Sequence, residues 1–260
     1  MDPLHAAILG IVQGLTEFLP VSSSGHLVLA GAILKVEDAG PTFEIFAHAG
    51  TLVAILVYFW RDLAAMFASV VTFRRDEHTK TALLILLGSI PAAAVGLGLK
   101  DQVDPLFDLP ILAACMLIVT AAVLFATRLI PSGQGEVGVR TTVAMGVAQA
   151  IAILPGISRS GSTIAAGMAT GADKEKVARF SFLLVIPALA GATALELAKG
   201  PEIDVLVPNL VGAATAFASG IIALHWLLRV VARGRLDRFG WYCLAVGLGA
   251  LGALLIWPPA

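Results

Sequence analysis

Two short stretches hold most of the chemistry available inside this apolar chain. The first is Gln13-Gly14-Leu15-Thr16-Glu17-Phe18-Leu19-Pro20-Val21-Ser22-Ser23-Ser24-Gly25-His26. Gln13 and Glu17 are four apart, so a helix presents both on one face. Pro20 stops that helix, and three serines, a glycine and a histidine follow before a second apolar run begins. The other stretch is Pro155-Gly156-Ile157-Ser158-Arg159-Ser160-Gly161-Ser162-Thr163. A carboxylate, hydroxyls, an imidazole and a guanidinium deep in apolar sequence are costly and mark a functional site. An Arg at membrane depth costs about 3 kcal/mol on insertion scales, so Arg159 needs an anionic partner. Glu17 is one candidate and a phosphate is another, since a guanidinium grips phosphate through two parallel N–H bonds. Ser22, Ser23 and Ser24, like Ser158 and Ser160, fall where a second half-helix begins. Free N–H groups and the positive end of the helix dipole make that an anion site. Gly25 and Gly161 let backbone approach the anion closely. With Gln13 and Thr163, these residues form the candidate phosphate-binding set.

Packing offers blander readings. Serines ahead of an apolar helix are usually N-caps, which suits Ser24 and Ser160 taken singly. A lone membrane histidine is often a satisfied core residue, the reading for His5, His48 and His225. Cys115 and Cys243 read as small buried hydrophobes. Packing does not explain Glu17, His26 and Arg159 as a set.

The elements that must position this set are membrane helices. The chain is 58% hydrophobic and 13% charged, against about 25% charged in a soluble domain. Its formal net charge of −1 gives no reason to expect nucleic acid. Asp2 and the lack of a basic stretch at the N-terminus argue against a cleaved leader. Six runs, near 43–60, 81–99, 106–127, 177–198, 205–228 and 239–257, approach the roughly 20 apolar residues that a bilayer requires. Four shorter runs, 4–19, 24–34, 139–154 and 160–170, form two pairs, each broken by a Pro/Gly/Ser segment. These read as re-entrant hairpins, because broken backbone at membrane depth must be buried in protein or line a cavity.

The second broken pair repeats the first. Gly10-Ile11-Val12-Gln13 matches Gly146-Val147-Ala148-Gln149, and Val21-Ser22-Ser23-Ser24-Gly25 matches Ile157-Ser158-Arg159-Ser160-Gly161. The expected fold is therefore an all-α polytopic membrane protein, a single membrane domain over 1–260. It holds six transmembrane helices and two re-entrant helical hairpins, with one repeat over about 1–130 and the other over about 137–260. Three spans per repeat is odd, so the repeats have inverted topology and the hairpin tips meet near the midplane. One set of connections carries Arg61, Arg74, Arg75, Arg128, Arg140, Arg229, Arg233, Arg235 and Arg238 among others, while the other carries Lys35, Lys100 and Lys199. The first set is then cytoplasmic, and the first hairpin and both termini lie outside.

At these residues the chain resembles the undecaprenyl-pyrophosphate phosphatases of bacterial membranes. Gln13-x-x-x-Glu17 with Pro20-Val21-Ser22-Ser23-Ser24-Gly25-His26 is similar to that family's first signature. Pro155-Gly156-x-Ser158-Arg159-Ser160-Gly161-x-Thr163 is similar to its second. The order of hairpins and spans follows the family along essentially the whole chain. Two positions differ from the commoner choice: Gln13 stands where Glu is common, and Ser24 where Thr often is.

The resemblance implies hydrolysis of undecaprenyl pyrophosphate in the cytoplasmic membrane, which recycles the lipid carrier for peptidoglycan and other wall polymers. It also implies bacitracin resistance, a divalent cation (Mg²⁺ or Ca²⁺), and an active site open to the outer, periplasmic face. Arg159 and the half-helix N–H groups would hold the pyrophosphate. Ser23 is the leading nucleophile, with His26 or Glu17 taking its proton. The alternatives are attack by His26 itself, or water activated by Glu17 with a bound cation. Gln13, Glu17 and His26 make a sparse metal site, so a cation is expected to reach Glu17 through the substrate phosphates. A flippase or transporter of a polyprenyl phosphate lipid is the competing function, since inverted repeats with broken helices are a transporter architecture. The oligomeric state, a homodimer included, stays open.

Overall fold

The computed structural model describes residues 2–34, 41–198, 200 and 206–256. Lys35 and Lys199, part of the charge asymmetry above, lie outside them. Apart from an isolated bridge between Gly135 and Ala172, regular structure among the described residues is helical. The first broken pair is α1 (Pro3–Phe18) and α2 (Ser23–Leu34). The Asp2 carboxylate caps α1 by accepting the amides of Leu4 and His5 at 2.8 and 3.0 Å. Next come α3 (Pro41–Tyr58), α4 (Trp60–Val71), α5 (Glu77–Gly98), the short α6 (Lys100–Val103), a 3₁₀ turn over Asp104–Asp108, and α7 (Pro110–Ala126). The second broken pair is α8 (Val139–Ile151) and α9 (Arg159–Ala169). It is followed by α10 (Lys174–Ala198), α11 (Leu206–Ala232) and α12 (Asp237–Ile256).

By length and composition, five helices among the described residues can cross a membrane: α5, α7, α10, α11 and α12. The number is six if α3 and α4 count as one bent span. Every apolar run identified in the sequence falls on a helix. The exception to the expected pattern is α4, which the sequence reading left as a connection. It leaves α3 at a 75° bend, burying Met66 and Ser69 and exposing Trp60, Phe67 and Val71.

Small residues set the helix packing. Lipid tails are as apolar as leucine, so helices in a bilayer associate by close dispersion contact rather than by expelling water. α1 lies along α11 with Gly10 against Gly212 and Thr215, and Gly14 against Ala216, Ser219 and Gly220. α8 lies along α5 in the same manner, with Gly146 on the backbone of Gly88. Phe18, Phe59 and Phe182 fill the space between these pairs, with ring centroids 6.1 and 6.4 Å from Phe182. The outer surface is apolar: Leu86 and Ile90 on α5, Ile222 and Trp226 on α11, and Trp241 and Leu248 on α12 are exposed. This is the expected sheath of a chain whose solvent is lipid.

Ion pairs join the basic connections to one another. Arg128 meets Asp237 at 2.6 Å and Arg179 meets Asp62 at 3.2 Å, and Lys176 pairs with Glu136. The connections α3–α4, α7–α8, α9–α10 and α11–α12 therefore sit at one end of the molecule, as the charge pattern requires.

The glycine contacts are testable. A side chain on Gly146 meets the Gly88 backbone, whereas Gly249 faces open space. Gly146→Leu should lower the melting temperature in detergent, by about the 1–3 kcal/mol of an overpacked core or more. Gly249→Leu should melt like the parent chain.

Candidate active site

Two helix breaks build the site. α1 ends because Pro20 has no amide to continue the ladder. Val21 then turns back to donate to the Leu19 carbonyl at 2.7 Å. Ser22 takes a left-handed conformation at φ 69°, a strained position for a residue with a side chain. Its hydroxyl accepts the Gly25 amide at 3.3 Å and so caps α2. In the second break the left-handed residue is Gly156, at φ 92°. A Cβ there would strike the Ala113 carbonyl. Ser158 caps α9 by accepting the Gly161 amide at 3.1 Å. The capping serines are thus Ser22 and Ser158, two residues ahead of Ser24 and Ser160, to which packing alone assigned that role. The cap must lie just before the first helical residue, and the helices begin earlier than the apolar pattern does.

Ser24 and Ser160 are therefore free to reach across. Ser160 Oγ donates to the Leu19 carbonyl at 3.1 Å, and the Gly156 amide makes a long contact of 3.5 Å to Ser24 Oγ. A Cβ on Gly25 would lie 3.1 Å from Gly156 Cα, and one on Gly161 3.3 Å from Pro20 Cβ. The two breaks touch. Thr120, buried on α7, pins the second: its hydroxyl donates to the Gly156 carbonyl and accepts the Ser158 amide, each at 2.9 Å.

Glu17, 8% exposed, is the junction. Its Oε1 accepts Arg159 Nη2 at 3.0 Å. Its Oε2 accepts the Ser23 hydroxyl at 2.7 Å and the Gln13 amide at 3.0 Å. Arg159 Nη1 and Gln13 Oε1 are buried with no hydrogen-bond partner. The guanidinium therefore grips Glu17 with one arm and holds the other unengaged.

The structure brings Gln13, Glu17, Ser23 and Arg159 together. It directs His26 and Thr163 elsewhere. His26 Nδ1 lies 2.8 Å from the Ser22 carbonyl and Nε2 2.8 Å from the Tyr242 hydroxyl. The His26 and Tyr242 rings are parallel within 4°. Both ring nitrogens of His26 are thus engaged away from Ser23. The Thr163 hydroxyl lies 2.6 Å from that of Ser181 on α10 and serves helix packing.

The three histidines expected in the core are not there. His5 is exposed and pairs with Asp2. His225 faces outward. His48 Nε2 stands 3.9 Å from Glu17 Oε2. Sequence reasoning missed His48, Tyr242 and Thr120. His48 had a signal: Glu44 and His48 repeat the i, i+4 polar pairing of Gln13 and Glu17 on an apolar helix. Tyr242 and Thr120 lie in apolar runs with no local cue. Cys243 is buried, as expected, and Cys115 is half-buried.

Among the described residues no three His, Cys, Asp or Glu side chains gather as a metal cage. The oxygens of Glu17 are already engaged by Arg159, Ser23 and Gln13. Among the described residues, the side chains around Glu17 do not by themselves make a cage for a resident cation.

An all-helical chain of spanning-length apolar helices, with a buried carboxylate between a serine hydroxyl and a guanidinium, has the build of a membrane-embedded hydrolase. The chain belongs to the family of the bacitracin resistance protein BacA, whose model matches residues 6–249. It is 42% identical to the undecaprenyl-diphosphatase of Korarchaeum cryptofilum, over 98% of this chain and 100% of that one. It is 45% identical to the undecaprenyl-diphosphatase of Desulfosudis oleivorans, over 95% of this chain and 97% of that one. It is 39% identical to that of Parabacteroides distasonis, over 98% and 100%.

Thr120 gives the test of this geometry. Thr120→Val keeps the volume but strands a buried carbonyl and a buried amide, at roughly 1–3 kcal/mol each. Melting temperature in detergent should fall, whereas Thr120→Ser should keep most of the stability.

Proposed function

We propose that this chain hydrolyses undecaprenyl pyrophosphate to undecaprenyl phosphate and phosphate, recycling the lipid carrier of peptidoglycan and other wall polymers. Bacitracin resistance follows as the family name suggests. Family membership and the names of the relatives support the substrate. The observation that carries the chemistry is the Ser23–Glu17–Arg159 junction.

The terminal phosphoryl group binds where Arg159 Nη1 and the amides around the two breaks converge, with Gln13 beside it donating to Glu17. The incoming phosphate competes with Glu17 for the guanidinium and so brings the charge to the reacting group. Ser23 Oγ attacks the terminal phosphorus while Glu17 Oε2 takes its proton, a nucleophile activated by an adjacent base. The bond from phosphorus to the bridging oxygen breaks and undecaprenyl phosphate leaves. Water then attacks the phosphoserine, releasing phosphate and restoring Ser23. His26 belongs to this scheme as a neighbour held by Ser22 and Tyr242, and Ser22 and Ser158 as caps that aim amides at the anion. A divalent cation, Mg²⁺ or Ca²⁺, would travel with the pyrophosphate as its counter-ion rather than sit in a cage of this chain.

The same reading makes the chain one membrane domain of two inverted repeats, about 1–130 and 137–260. Several matched features support it. Gly10 and Gly146 pack on Gly212 and Gly88 of the corresponding helices. The capping hydroxyls recur at Ser22 and Ser158, and the serine pairs Ser22–Ser24 and Ser158–Ser160 stand 3.3 and 3.4 Å apart. With the basic connections in the cytoplasm, the first hairpin and the site open to the outer face of the bacterial inner membrane.

The experiment is phosphate release from a polyprenyl pyrophosphate by purified protein in detergent, where a flippase has no second compartment and nothing to do. Wild type should turn over. Arg159→Lys should lose about 10²–10³ in rate, because a point charge cannot replace the two-armed guanidinium. Glu17→Gln should lose about 10²–10⁴, because an amide cannot take the proton. Gln13→Ala should cost less than either. If Arg159→Lys and Glu17→Gln both stay near wild type, the site is wrong.

A further inference from the structure

His48 stands behind the serine–carboxylate pair and has no part in the reaction as described. Its Nε2 lies 3.9 Å from Glu17 Oε2, the oxygen that accepts the Ser23 hydroxyl at 2.7 Å. Its Nδ1 lies 2.8 Å from the Glu44 carbonyl oxygen. A carbonyl only accepts, so Nδ1 carries the hydrogen, and in the neutral ring Nε2 keeps its lone pair. That lone pair faces the carboxylate. The His48 side chain is 31% exposed and that of Glu17 only 7%. His48 thus reaches from a buried base toward the surface of the molecule. The gap to Oε2 is about 1 Å longer than a hydrogen bond, and catalytic hydrogen bonds without substrate are often long and tighten in the complex.

The two chemical steps explain why such a group is needed. In the first, the Ser23 proton arrives on Glu17. In the second, water attacks the phosphoserine and must itself lose a proton. A Glu17 that kept the first proton cannot accept the next. We propose that His48 is a proton relay for this reaction: it takes the Ser23 proton from Glu17 between the two steps and passes it to solvent. This rests on the serine-nucleophile reading above and deepens it.

The steps balance. Oγ–H breaks, Oγ–P forms and the bridging P–O bond breaks, with undecaprenyl phosphate leaving. The proton moves from Ser23 to Glu17 Oε2, to His48 Nε2, and then to water. In the second step the water oxygen bonds to phosphorus and the Oγ–P bond breaks. The water proton moves to Glu17 and on to Ser23 Oγ. One proton is released per turnover, as hydrolysis of a phosphoric anhydride near neutral pH requires.

The relay predicts a separation that a packing role does not. In the full chain purified in detergent, His48→Gln keeps an amide of similar reach but cannot accept a proton. Its kcat should fall by about 10²-fold, the low end of an acid–base contribution, with KM and melting temperature unchanged. His48→Ala should lose as much, and added imidazole should restore part of the rate. Glu17→Gln with His48→Gln should be no slower than Glu17→Gln alone, because residues acting in series do not add. A His48→Gln protein with wild-type kcat overturns the relay. So does a loss that appears in KM, or one that imidazole does not mend in His48→Ala. Ser23→Ala and Glu17→Gln, assayed beside it, separate the two levels. If they stay active, the site reading itself fails; if they are dead and His48→Gln is not impaired, only the relay fails.

Discussion

The ion pair between Glu17 and Arg159 is the interaction on which the rest of this structure depends. It joins residues 142 positions apart, with the Arg159 and Glu17 side chains only 14% and 7% exposed. Removing one partner of a buried pair typically costs about 3–5 kcal/mol, because the other charge is left without compensation. The pair therefore fixes the contact between the two helix breaks, and the breaks fix where α1, α2, α8 and α9 must end. The close packing of α1 on α11 and of α8 on α5 then follows, since half-helices that stop inside a bilayer must lie against protein. The pair is also incomplete. One guanidinium arm, Nη1, is buried without a hydrogen-bond partner.

The two breaks share a scaffold and divide the chemistry. Both carry a serine cap, a pair of neighbouring hydroxyls and a glycine pressed against the opposite break. They differ at single positions. Ser23 of the first corresponds to Arg159 of the second, so one half brings a hydroxyl to Glu17 and the other a guanidinium. Glu17 corresponds to Ile153, so only one half carries a carboxylate there. Gln13 corresponds to Gln149, whose amide is buried with neither atom partnered. The unstrained left-handed residue of the second break is Gly156. It lies two positions before the cap Ser158, whereas in the first break the cap itself, Ser22, is left-handed and accepts strain beside Ser23.

Much of this was legible in the sequence, for physical reasons. Apolar runs of spanning length identify helices because a bilayer accepts few other structures. Costly polar residues identify the site because nothing else in an apolar chain would retain them. Tertiary placement was not legible. The contact of Ser23 with Glu17, rather than with His26, depends on the turn at Ser22, and no pattern in the sequence announces a serine at positive φ. His26 is held by Tyr242 from the last helix, 216 residues away, and Thr120 sits in an apolar run that looks like any other span. α4 escaped notice because a bend at Phe59 is invisible to hydropathy.

The central claim is that Ser23 attacks the terminal phosphorus under the control of a carboxylate and a guanidinium from different halves of the chain. Rapid acid quench of the purified protein with polyprenyl pyrophosphate labelled in its terminal phosphate tests it most directly. Mapping of the labelled peptide by mass spectrometry then locates the phosphoryl group. The result expected is a phosphoserine at Ser23 that forms and decays within a turnover and does not form in Glu17→Gln. A label on His26, or turnover with no covalent phosphate on the chain at any quench time, would contradict the claim.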